Sequence, residues 1–179
     1  MSVLDRCRLI AQFAVPKARH VIIVDLANVP QFFTYMDALD FHARATIAAR
    51  ALVVPFVEPR GVLRDGKWRN TDYSLALAQR HRFAPVVVEG NANAADCTMS
   101  WFLLLTSQYS LSTGGGRSTT KVHLVTGDQR LAAAMVSLYG THLPLWHWGS
   151  RHREFKACEE LVRHLSERTD TPSEQMQSK

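Results

Sequence analysis

No apolar run in this chain approaches the roughly 20 residues that a membrane-spanning helix requires, so a soluble, intracellular protein with no membrane partner is expected. Cysteine is scarce as well. Cys7, Cys97 and Cys158 are an odd number, far apart, without the close pairs of a zinc site or the density of a disulfide scaffold, and this usage favours a reducing compartment. Glycine is absent where a dinucleotide-binding fold needs it: "DLANVP", residues 25 to 30, holds no Gly-x-Gly-x-x-Gly. The glycines of "STGGGRSTT", residues 112 to 120, lack the lysine and the spacing of a phosphate-binding loop and read as a connector. No internal repeat is legible, and no Ser/His/Asp or Cys/His nucleophile motif. His147 and His152, in "HWGSRH", do not have the spacing of a metal pair.

The 179 residues, 46% hydrophobic and 21% charged, are enough for one full core, so a single globular domain is expected. The first twenty residues carry Arg6, Arg8, Lys17 and Arg19 against Asp5 alone. They resemble an organellar presequence, and an amphipathic first helix accounts for the same pattern, so cytoplasm and an organelle such as the mitochondrion both stay open. The division that follows is a helical extension over 1–19, a domain over 20–167, and a polar tail over 168–179 that is predicted to be disordered.

Short β-type apolar runs alternate with longer helical stretches. Strands are predicted over 20–25, 51–58, 84–90, 121–128 and 141–148, and helices over 30–50 (one broken or two), 72–82, 95–109, 129–139 and 154–167. Such alternation predicts an α/β fold, a Rossmann-like open parallel sheet of about five strands with helices on both faces. Pro144 places the fifth strand at an edge or a bulge.

"VIIVDLANVP", residues 21 to 30, runs four apolar residues into Asp25. Asp25 alone reads equally as a cap for a following helix. In an open parallel sheet, however, ligands bind beyond the carboxyl ends of the strands. Asp25 ends the first strand, Asp128 ends the fourth, and Asp96 opens the helix after the third, so three carboxylates are predicted at one rim. Converging acids repel, and a divalent cation with oxygen ligands relieves that repulsion. Mg²⁺ or Mn²⁺ held by Asp25, Asp96 and Asp128 would activate a water and stabilise charge on a phosphate, which makes phosphodiester hydrolysis the natural reaction.

These residues also carry a family resemblance. "VIIVDLANV" resembles the Asp-x-x-Asn opening of NYN domains, a branch of the PIN-like nuclease superfamily. "NAADCTMSWFLLL" is similar to that family's Lys-Gly-x-Asp helix start, with Asp96 at the acid, and "HLVTGDQRLAAAM" to its Ser-Gly-Asp-x-Asp motif, with Thr126, Gly127 and Asp128 matching. The three motifs fall in family order over roughly residues 20 to 165. The resemblance implies strand order 3-2-1-4-5, a metal-dependent ribonuclease, and an Asn28 that orients Asp25 or touches metal-bound water or substrate phosphate. The chain departs from the family at Ala94 and Ala95, where Lys-Gly stands, at Arg130, where the second acid of the last motif stands, and at Phe102, where a later acid is often found. Glu89, ending the third predicted strand, is a candidate replacement carboxylate. A haloacid-dehalogenase-like phosphatase also starts with a strand ending in Asp, but it requires a second Asp where this chain has Ala27.

A formal charge of +5 permits a polyanionic partner. "EPRGVLRDGKWRN", residues 58 to 70, sets Arg60, Arg64, Lys67 and Arg69 around Trp68, the cations and aromatic of single-strand recognition. Arg151 and Arg153 follow the fifth strand toward the same rim, and Thr126 is a further candidate for phosphate. The function expected is a ribonuclease acting on single-stranded or looped RNA. The alternative is a catalytically degenerate PIN-like module that binds RNA or protein partners within a ribonucleoprotein assembly.

Overall fold

A strand covered on both faces shares its side chains between two cores, and His20–Asp25 (β1) does so with all six residues buried. Val21 and Ile23 enter one apolar cluster, Ile22 and Val24 the other. The computed structural model describes residues 1–29, 32–58, 62–64, 67–69, 71–90, 93–111, 120–141, 143–148, 163 and 165. The remaining strands are Ala51–Val57 (β2), Val62–Arg64 (β3), Lys67–Arg69 (β4), Val86–Val87 (β5), Lys121–Val125 (β6) and Leu145–Trp148 (β7). Five of them form one all-parallel sheet in the order β5-β2-β1-β6-β7, while β3 and β4 pair as a separate antiparallel hairpin. Counted along the chain, the main sheet runs 3-2-1-4-5, which makes β1 and β6 neighbours.

Six helices are described: Val3–Phe13 (α1), Phe32–Ala38 (α2), Phe41–Arg50 (α3), Thr71–Arg80 (α4), Ala94–Leu111 (α5) and Gln129–Tyr139 (α6). One face of the sheet is covered by Cys7 and Ile10 of α1, Met99, Phe102 and Leu103 of α5, and Met135 of α6. The opposite face takes Phe32, Phe33 and Met36 of α2, Ile47 of α3 and Leu77 of α4, with Leu165 buried in the same cluster. Burial of each such side chain contributes about 1.5–3 kcal/mol, so the sheet is clamped from both sides.

Local chemistry sets the element ends. Ser2 caps α1 through a reciprocal capping box with Asp5. The predicted run 30–50 is two helices because Asp40 starts a second one, its carboxylate accepting from the Ala43 N–H at 2.7 Å. The third strand of the sheet is shorter than predicted: Pro85 offers no N–H, and β5 has only β2 beside it. β7 begins after Pro144 and lies at the other edge, as that proline requires. The hairpin β3–β4 occupies a stretch for which the sequence predicts neither strand nor helix, since three-residue strands are too short to show a period. The connector 112–119 and the tail 168–179 lie outside the described residues; so does the predicted helix 154–167, except for Arg163 and Leu165, both helical. No described helix is long and apolar enough to cross a membrane.

Candidate functional site

Asp25 closes β1 with only 2% of its surface exposed. A carboxylate buried this far is costly unless its oxygens receive hydrogen bonds. The backbone turns immediately, with the Val29 N–H donating to the Asp25 carbonyl at 2.8 Å, and this turn brings Asn28 back onto the acid. Asn28 Nδ2 donates to Asp25 Oδ2 at 2.6 Å, and the Asn28 backbone N–H approaches Oδ1 at 3.4 Å. The Asp-x-x-Asn spacing therefore serves to orient the carboxylate.

The neighbouring strand supplies the third donor. Thr126, one residue beyond β6, donates its hydroxyl to Asp25 Oδ2 at 2.8 Å and accepts from the Asp128 N–H at 3.1 Å. Its backbone is held from β7: the Thr126 N–H donates to the Trp148 carbonyl at 3.0 Å, and His147 Nε2 donates to the Thr126 carbonyl at 2.9 Å. A Cβ on Gly127 would lie 3.2 Å from the Asn28 carbonyl oxygen, so the two rim loops meet through a glycine. Asp128 caps α6, its Oδ1 accepting from the N–H groups of Arg130 at 2.9 Å and Leu131 at 3.0 Å.

Asp96 stands half-buried in the first turn of α5. Burial pushes its carboxyl above the ordinary carboxylate range, and repulsion from Asp25, Asp128 and Glu58 pushes it further. Two of the acids named from the sequence, Asp25 and Asp128, therefore act on the third, Asp96, at one rim of the sheet. Glu58, directly after β2, is a fourth acid that sequence reasoning passed over. Its signal was present, because "ALVVPFVE" ends an apolar strand on an acid just as β1 does. Glu89, the candidate replacement, is exposed.

Carboxylate oxygens alone make a donor set suited to a hard divalent cation, and the repulsion on Asp96 is the kind that such a cation relieves. Among the described residues, however, no three His, Cys, Asp or Glu side chains stand at metal-ligating positions. One oxygen of Asp25 accepts two protein donors, and one of Asp128 is engaged with the start of α6. The residues match such a cation in ligand type and in charge, but those described are not placed as a cage.

The hairpin β3–β4 leaves the carboxyl end of β2 within five residues, with Arg64 paired to Lys67 and Leu63 to Trp68 in backbone register. Arg60, Arg151 and Arg153 lie outside the described residues, as do the side chains of Arg64, Lys67, Trp68 and Arg69.

Fold and site together define an α/β protein with an open parallel sheet and a carboxylate cluster at its carboxyl-terminal rim. No protein-family model, curated protein sequence or solved structure matches the chain.

Proposed function

We propose that the protein is a divalent-cation-dependent ribonuclease of NYN/PIN-like type, hydrolysing phosphodiester bonds of single-stranded or looped RNA. The observation that carries this reading is the mutual repulsion of Asp96 with Asp25, Asp128 and Glu58 at the carboxyl ends of the strands, where open α/β sheets bind their ligands. Asp25, Asp96 and Asp128 would hold Mg²⁺ or Mn²⁺. When bound, the cation supplies an acidified water and a counter-charge for the phosphate. The chain's own residues prepare the site: Asn28 and Thr126 keep Asp25 aimed through donated hydrogen bonds, and Gly127 lets the two loops close on each other. The basic hairpin segment and Arg151 and Arg153 would draw in the RNA backbone.

A second reading, a non-catalytic module that binds RNA or a protein partner, is favoured by a separate observation: the described acids are not set as a metal cage, and Asp25 already has protein donors. Cleavage of labelled single-stranded RNA in Mg²⁺ or Mn²⁺ separates the two, with EDTA and Asp96→Asn as controls. The nuclease predicts metal-dependent cleavage that drops at least about a hundredfold in Asp96→Asn. Folded wild-type protein that binds RNA and leaves it intact in both metals supports the module instead.

A further inference from the structure

Between α3 and the carboxyl end of α4 lies a cavity of about 600 Å³ whose wall includes Phe41, Arg44, Arg80, His81, Arg82 and Phe83. Its volume falls within the roughly 300–1,000 Å³ typical of small-molecule sites. Its charge is unbalanced. Asp37 Oδ1 is shared by Arg80 at 3.6 Å and His81 Nε2 at 2.9 Å, whereas Arg44 and Arg82 form no ion pair among the described residues. Asp40 caps α3, its carboxylate accepting from the Ala43 N–H. Burial holds the His81 imidazole below its ordinary value, and although Asp37 opposes this, the positive charge of Arg80 and Arg44 adds to it.

Arg82 is also strained. α4 ends in a Schellman motif, with the Arg82 N–H donating to the Gln79 carbonyl at 3.0 Å and the Phe83 N–H to the Ala78 carbonyl at 2.8 Å. The motif places Arg82 at φ 58°, the left-handed position that glycine fills without strain. An arginine at a helix end also complements the helix dipole, but Arg80 in the last turn already does so. The helix end thus sets a cation on the cavity wall at a position where glycine is the usual residue.

The apolar side of the cavity is aromatic. Phe41 is 81% exposed and stands one helical turn before Arg44 on the same face of α3. Phe83 stacks on His81 with ring centres 5.3 Å apart.

From this combination we infer that the cavity binds a nucleotide, the guanidinium groups of Arg44, Arg80 and Arg82 taking the phosphate and Phe41 stacking on the base. The same chemistry is offered by a free mononucleotide and by one nucleotide of a single RNA strand. The site forms where α4 ends and the chain approaches β5, whereas the acids stand at the carboxyl ends of the strands, so it is independent of the acidic rim and of the catalytic proposal.

Calorimetric titration of the full chain with adenosine 5′-monophosphate, oligoadenylate and adenosine tests this. Arg82→Gly and Arg44→Ala should each weaken phosphate-bearing ligand binding about tenfold. Adenosine should bind worse than its monophosphate. The unfolding midpoint of Arg82→Gly should equal or exceed that of wild type, because glycine removes the strain. Binding of the monophosphate assigns a free nucleotide, and binding confined to oligoadenylate assigns a strand; both support the site. Absence of binding, or affinities unmoved by Arg82→Gly and Arg44→Ala, would overturn it.

Discussion

Asp96 is the residue at which charge and fold pull in opposite directions. Its place in the first turn of α5 suits an acid, because the helix dipole favours negative charge there. Burial and three neighbouring carboxylates disfavour the same charge, and they prevail, since the carboxyl is displaced upward. The folded state therefore holds the Asp96 proton more tightly than the unfolded chain, and the penalty is greatest at neutral and higher pH, where Asp96 is ionised. Asp96→Asn should raise the midpoint of thermal unfolding in EDTA at neutral pH, and Mg²⁺ or Mn²⁺ should stabilise wild type more than the variant. A variant less stable than wild type in EDTA would mean that the dipole outweighs the repulsion. Asp96 was legible from its place in a helix-opening motif. Glu58 was less so, because only the pairing of β1 with β2 shows that two strand-ending acids share a rim.

At the scale of elements, Asp128 has two roles that substitution can separate. Its Oδ1 caps α6, and its charge acts on Asp96. Asp128→Ala should cost about 1 kcal/mol through the lost cap. Asp128→Ser should recover most of that stability, because a hydroxyl also accepts from helix-start amides, while the charge stays absent. Chemical denaturation measures both; equal destabilisation by Ala and Ser would sink the cap assignment. The start of α6 was readable because a cap joins residues two and three positions apart. β5 and the β3–β4 hairpin were not, since strands of two or three residues take their definition from a partner rather than from a period.

For the molecule as a whole, the central issue is that two apolar clusters on opposite faces share one sheet. Phe102 is fully buried in one cluster and Phe33 in the other, both through residues of α-helices that pack on β1 and its neighbours. Because β1 and β2 supply side chains to both clusters, loss of either should unfold the whole. Phe102→Ala and Phe33→Ala should each destabilise by about 3–5 kcal/mol, with a single cooperative transition retained in denaturant. Two separated transitions in either variant would show that the faces fold independently. α1 belongs to this unit, since Cys7 and Ile10 lie in the same cluster as Val21 and Ile23. Burial also pushes the Cys7 thiol up to about 11, which leaves it in the unreactive protonated form at neutral pH.

The amino-acid sequence by itself determined what depends on neighbours along the chain. The apolar runs specify the strands, the acids and serine at helix starts specify where helices begin, and the strict alternation of strand and helix specifies a parallel sheet. The tertiary structure alone decided which groups from distant segments act on each other. Thr126 meets Asp25 across 101 positions of sequence, His147 steadies Thr126 from the edge strand, and Arg44 of α3 and Arg82 of the turn after α4 come to one cavity. Local hydrogen bonds and periodicity are written within a few residues, whereas electrostatic repulsion and cavity shape depend on distances through space, which exist only once the sheet has set its strand order.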